Sequence, residues 1–311
     1  MTWTPRFTAF AICSVAGLSA LAPAVRAQAL YLPGSYSANF GDGLHIDKRK
    51  LGYYRTYQDN DNFDGIEYSQ NRYQQNHWAS QGEQVSYVLK SRDAQGNASN
   101  FAIGHNTLNT SPSLLTLDAS ILRRLGDSTS GELTFNRDRV EVRQSLTNHV
   151  SADNFFVNVE QTFTDTLRGL ATAGETHYTD GNHRPTVKLQ ATYDVLPAHG
   201  LSLQWRSRHF RNTNTTVNSG YYNPYKFVEN IVAAEINQTV NGWHLSGNFG
   251  WGRQAGGNDP KTQAKAFEVS ATAPVTAKVF VKAKAGYFRS LGYNAPDFLF
   301  RYVTGDVIFV F

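Results

Sequence analysis

The sequence predicts an all-β chain: a transmembrane antiparallel β-barrel of about sixteen strands, of the type built into the bacterial outer membrane. Three observations carry that expectation. Apolar and polar residues alternate with period two over most of the chain. No stretch after the N-terminal segment approaches the eighteen or so apolar residues of a spanning helix, so a helical membrane protein is excluded. The chain also stops on an alternating aromatic strand, "RYVTGDVIFVF". A soluble sandwich of 311 residues would need central strands that are apolar on most positions, and these are scarce.

At the N-terminus, "MTWTPRFTAFAICSVAGLSALAPAVRAQA" has Arg6 ahead of an Ala-rich apolar run, with Ala27 and Ala29 framing an A-x-A-like site. That is the layout of a secretory signal peptide, expected over residues 1–29, with the barrel over 30–311. Cys13 follows bulky Ile12 inside the run and does not read as a lipid-attachment cysteine. Removal takes Arg6, Arg26 and the single cysteine, leaving 27 basic against 25 acidic residues, a formal +2. A mature chain without cysteine has neither disulfides nor thiolate metal sites, and its charge excess is too small to indicate nucleic acid.

Strand candidates begin near residues 34, 47, 62, 80, 97, 113, 128, 152, 168, 184, 200, 225, 241, 261, 277 and 297. The segment "KRKLGYYRTYQDNDNFDGIEYSQNRY" alternates weakly, which leaves fourteen strands open. Elsewhere the faces separate cleanly. "VKLQATYDV" sets Val187, Leu189, Ala191, Tyr193 and Val195 against Lys188, Gln190 and Asp194. "GLSLQWRSRHF" sets Leu201, Leu203 and Trp205 against Gln204, Arg206 and Arg208. Arg206 and Arg208 in lipid would cost about 2–4 kcal/mol each near the midplane, which assigns them to a wet lumen. "WHLSGNFGW" separates Trp243 from Trp251 by a rise of about 20 Å for a tilted strand, one indole for each membrane interface. "KVFVKAKAGYF" sets Val279, Val281, Ala283, Ala285 and Tyr287 against Lys278, Lys282 and Lys284. On the last strand Val303, Val307, Phe309 and Phe311 should face lipid, with Thr304 and Asp306 in the lumen.

Connections expected on one side are short ("DTLR", "PAHG", "VNG", "PVTA"). Those on the other side are longer ("RDRVEVRQSLTNHVSA", "TDGNH", "NTNTTVNSGYYNP", "AGGNDP", "GYNAPD"). Short turns inside and longer loops outside, with an even strand count, fit an outer-membrane barrel.

Two of those loops carry a family likeness. "ETHYTDGNHRPTVKLQATYDV" resembles a "Y-x-D-G-N-x-R" hairpin, and "SGYYNPYKFVENIVAAEI" resembles a "G-Y-Y/F-x-P" loop entering a strand. Both recur, in this order, in the barrel modules of bacterial exopolysaccharide exporters, the porins for poly-N-acetylglucosamine, cellulose and related polymers. "NRDRVEVRQSLTNHV" is similar to the loop upstream of them, and the resemblance covers about residues 130–311. The terminal Val307, Phe309 and Phe311 resemble the signal read by the barrel-assembly machinery. The resemblance implies an export pore without covalent chemistry, with polysaccharide as cargo and a periplasmic scaffold or synthase complex as partner. The tetratricopeptide-repeat region such exporters carry has no counterpart in this sequence, which shows no 34-residue helical period.

The face assignment puts Asp118, Glu132, Glu160, Glu175, Asp194, Glu229, Glu235, Glu268 and Asp306 in the lumen, with Lys188, Arg206, Arg208, Lys278, Lys282 and Lys284. Both signs are present, so the lining favours neither an anionic nor a cationic polymer. Phe210, Phe280 and Phe288 offer interior stacking surfaces. Ser207 and His209 alternate on the outward face, but no acid or amide orienter stands beside them, and no enzyme is expected. His177 and His244 fall singly on the inner face without a second histidine at i+2, so no metal or other cofactor is expected. A general diffusion porin is the competing reading, for which 138–151 would be the constriction loop; an adhesion protein would need longer outer loops.

Overall fold

A computed structural model describes residues 27–39, 43–257, 259–273, 278–289 and 299–311. The expected leader up to residue 26, the "PVTA" turn and the "GYNAPD" loop lie outside the described residues. The first strand, β1, runs in two segments, Ala27–Tyr31 and Gly34–Asn39. Pro33 has no N–H to continue a ladder, so the strand breaks there. Its carbonyl accepts the Lys50 N–H at 3.0 Å, and both segments pair with the same two neighbours.

The following strands are β2 His45–Asp59, β3 Asn62–Gln75, β4 Trp78–Arg92, β5 Ala98–Leu108, β6 Ser111–Arg124, β7 Thr129–Arg139 and β8 Ser151–Thr162. Then come β9 Leu167–Tyr178, β10 His183–Leu196, β11 Leu201–Arg211, β12 Lys226–Val240, β13 Trp243–Gly256, β14 Thr262–Thr272, β15 Val279–Arg289 and β16 Leu299–Val310. Every neighbouring pair is antiparallel, and β16 returns to β1, so the sheet is a closed barrel of sixteen strands. Closure removes the free sheet edges that would otherwise expose unpaired backbone groups. The seam is sealed by both ends of the described chain, with Gln28 N–H on the Phe311 carbonyl at 3.1 Å and Phe311 N–H on the Gln28 carbonyl at 2.9 Å.

The alternation becomes the two faces of one wall. Ile66, Val85, Leu115, Phe155, Val187, Trp205, Val232, Phe249, Trp251 and Val303 stay exposed, an apolar band around the outside. Trp243 is exposed on the same face of β13 as Trp251, as expected, and so are Phe309 and Phe311 at the end of the chain. Polar partners point inward and hydrogen-bond along the wall, as with Asn158 to Glu132 (3.0 Å) and Thr172 to Asn158 (2.7 Å).

The weakly patterned strands β2–β4 are among the longest of the barrel, and the reason for their faint alternation is visible. Two register irregularities, between Tyr54 and Thr56 and between Tyr57 and Asp59, shift β2 against β3. Inside them Tyr54, Tyr57 and Phe63 stack on one another, with ring centroids 4.2–6.2 Å apart. With Ile308, Val88 and Ala29 they form an apolar cluster on the inner side of the wall. An inward apolar cluster opposite an outward apolar band blurs a period-two pattern.

Candidate functional site: the charged lumen and its lid

The lumen is lined as the alternation requires along β10–β16. Lys188 stands opposite Arg208, and Gln190 opposite Arg206, in the β10–β11 ladder. Lys188 lies over the Phe156 ring at 5.1 Å. Arg208 pairs with Glu229 at 3.0 Å and lies over the Phe227 ring, while Arg206 donates to the Gln204 amide oxygen at 2.9 Å. Lys188, Arg206, Arg208, Glu229 and Phe288 share a cavity of about 240 Å³. Glu235 accepts from Gln204 and from Asn237, and Asp194 pairs with Arg168 at 3.3 Å. On the closing side Lys284 pairs with Glu268 at 3.1 Å, Tyr302 donates to the same carboxylate, and Lys282 stands opposite Asp306. Asp306 accepts from the Tyr31 hydroxyl at 3.0 Å. Asp118 and Glu132 also face inward, each holding an asparagine amide.

Two assignments are corrected. Glu175 and His177 lie on the outward face, because β9 keeps Ala171 and Ala173 in register with Val159 and Val157 of the outer band. Glu175, opposite Phe155 at the edge of the apolar band, and His177, opposite Asp153, continue that face toward the long-loop end. Lys278, just before β15, is exposed, and its carbonyl accepts the Val310 N–H at 2.8 Å. His244 does stay on the inner face with Ser246, beside Thr239.

The long-loop mouth carries the feature that the alternation could not disclose. Residues 140–150, with the short helix α1 (Arg143–Thr147), fold inward instead of projecting away. Leu146, only 1 % exposed, packs with Leu44, Ile46, Tyr73 and Leu108 from the β2–β5 wall. Glu141 accepts the Tyr73 hydroxyl at 2.8 Å and an ion pair from Lys48 at 2.6 Å. The other edge of the lid meets the loop between β11 and β12, which springs from the opposite wall. Gln144 and Asn148 donate to the Asn218 carbonyl, Ser145 donates to that of Ser219, and Val142 and Val150 pack on Tyr221. The segment thus bridges the barrel mouth from wall to wall.

The two loop motifs meet here. Tyr178 stacks on Tyr221 at 4.3 Å, and Tyr221 donates to Asp180 at 2.9 Å. Asn182 is fully buried and its amide donates to Asn212, Tyr221 and Asn223. Arg184 donates to Asn212 and to the Tyr222 carbonyl, under the rings of Tyr178, Phe210 and Tyr221. Gly181 and Gly220 hold φ of +86° and +81°, which explains a glycine at both places. The hairpin motif and the "GYYNP" loop are one clasp, and the lid rests on it. Burial, then the Asp259 contact, pushes the Tyr222 phenol above its ordinary value; burial and Asp180 do the same for Tyr221 against the lowering effect of Asn182.

On the outer wall the Ser207 hydroxyl lies 2.8 Å from His209 Nε2. Among the described residues no carboxylate or amide hydrogen-bonds the other imidazole nitrogen, so the pair lacks an orienting third member.

No family model matches the chain, and no curated protein matches it. Among solved structures, one described as a bacterial polysaccharide outer membrane secretin superposes with a TM-score of 0.70 at 14 % identity, over 93 % of this chain and 100 % of that one. OmpF of Salmonella typhi in complex with daunomycin aligns at 0.46 and 13 % identity, over 91 % and 97 %. OccK5 (OpdH) of Pseudomonas aeruginosa aligns at 0.47 and 7 % identity, over 92 % and 98 %. The first of these superpositions and the closed sheet give the fold of an outer-membrane barrel: all-β, antiparallel, closed by sixteen strands.

Proposed function

We propose that the protein is a pore of the bacterial outer membrane that passes a secreted polysaccharide to the cell surface. The observation that carries this reading is the clasp: the two motifs that resemble the exporter loops lock onto each other and seat a lid over the mouth. The full-length superposition on a polysaccharide secretin barrel supports it. In this reading the short turns face the periplasm and the lid faces outward. Val307, Phe309 and Phe311 guide assembly into lipid, and a periplasmic scaffold or synthase complex delivers the chain. The lumen offers charges of both signs beside the inward aromatic rings of Phe210, Phe280 and Phe288. That suits a hydrated, weakly held sugar chain able to slide. The pore binds and guides, and no covalent step is assigned to it.

The test is single-channel conductance in planar bilayers with candidate polysaccharides added to the short-turn side. Block by one polymer at low concentration is expected. The inward fold of 140–150 also fits a diffusion porin with a constriction segment. A large conductance that no polysaccharide blocks, with normal surface polymer in a deletion strain, would replace the export reading with that one.

A further inference from the structure

Three side chains with metal-ligating atoms converge on the outer wall at the long-loop end, away from the lumen. Glu175 and His177 end β9, and His183 opens β10; the tight hairpin between them puts His177 directly opposite His183 in the ladder. The two imidazoles meet edge to face at 4.3 Å. One Glu175 oxygen lies 3.1 Å from His177 Nε2 and the other 3.7 Å from His183 Nδ1. All three ligand atoms fall within 4.8 Å of one another. No spacing within one strand predicts this group, because the second histidine arrives across a turn.

We propose that Glu175, His177 and His183 form a binding site for a divalent transition metal of the zinc class. Zinc–nitrogen and zinc–oxygen bonds of about 2.0–2.2 Å put tetrahedral ligand atoms about 3.4 Å apart, and the two carboxylate–imidazole contacts, each made by a different Glu175 oxygen, lie close to that figure. Small side-chain rotations complete the site. Two imidazoles and a carboxylate select zinc, copper or nickel over calcium or magnesium, which take oxygen ligands. The backbone is fixed in advance: His183 N–H donates to Asn182 Oδ1 at 2.9 Å and to Thr213 Oγ1 at 3.1 Å, and Asn182 is fully buried. The three side chains are half-exposed or exposed, so water completes the coordination. A bound ion ties β9 to β10 at the hairpin that carries Asn182. The inference is independent of the export reading, since these groups face away from the lumen.

The experiment uses the barrel purified from outer membranes in detergent, stripped with chelator, and titrated with zinc chloride by calorimetry. One site per barrel is expected. Affinity falls at least about tenfold in His177→Ala and in His183→Ala, less in Glu175→Gln, and not at all in His209→Ala. Copper(II) in place of zinc gives an electron paramagnetic resonance spectrum split by two imidazole nitrogens. Heat-modifiable migration on gels verifies that each variant is a folded barrel. Uptake of no zinc by the parent, equal binding by the parent and both histidine variants, or a copper spectrum without nitrogen splitting each overturns the proposal.

Discussion

Asn182 shows how much one residue can hold when its side chain has no access to water. Its amide donates to three loop residues while its oxygen accepts the N–H groups of His183 and Asn214. Asn182→Ala strands those partners at a cost of about 1–3 kcal/mol. The expected outcome is a folded barrel whose 212–225 loop is cut faster by protease than in the parent. Gly220 is a second such position. A Cβ there would sit 2.6 Å from Gln144 Cβ, at a φ that side chains avoid. Gly220→Val should therefore lift the lid and raise conductance without changing strand content by circular dichroism. The clasp tyrosines bear on pH. A phenol pushed up in the folded state stabilises fully below its unfolded value of about 10, and loses that contribution only as pH rises through the raised one. Conductance should be flat between about pH 6 and 9, as far as Tyr221 and Tyr222 control it.

At the scale of elements, strand placement was legible and loop placement was not. The candidate starts fall within a few residues of the observed strands, and sixteen strands replace the choice between fourteen and sixteen. Period two is a local property: a strand half in lipid and half in water must alternate, whatever its neighbours do. The rule fails where both sides are wet. Glu175 stands at the edge of the apolar band opposite Phe155, and His177 lies past it opposite Asp153, so their polarity carried little information about face. The lid is the opposite case. Residues 138–151 stood out as a long connection, but nothing local told whether Leu146 would meet the β2–β5 wall or solvent. Leu146→Asp would bury a carboxylate in that cluster, and Glu141→Lys would set a cation against Lys48. Both are expected to raise open probability several-fold in planar bilayers, with Leu146→Asp the stronger because a buried unpaired charge costs more than a lost half-exposed pair. Along β10–β16 the charged side chains alternate with the exposed apolar ones, and their pairing comes from register: Arg208 with Glu229, Lys284 with Glu268.

For the whole molecule the seam between β1 and β16 decides closure. It is held by a broken first strand, the two Gln28–Phe311 hydrogen bonds and those of Leu32 with Val307. Cleavage of the expected leader after Ala27 keeps Gln28 in the seam, whereas cleavage after Ala29 discards both bonds and the fully buried Ala29. Sequencing the mature N-terminus is expected to return Gln28. Deleting residues 27–33 should lower the temperature at which the barrel loses its heat-modifiable gel mobility.

The amino-acid sequence by itself determined the strands, their two faces, their number to within two, and the two loop motifs. Each of these follows from neighbours a few residues apart, and the solvent on either side of the wall enforces it. Only the tertiary structure decided that the two motifs grip each other, that a lid spans the mouth, and that His183 stands against His177. Those contacts join residues that lie from six to more than seventy positions apart. They depend on how a sheet curls shut, which sets distances across the lumen and across a hairpin that no periodicity along one strand contains.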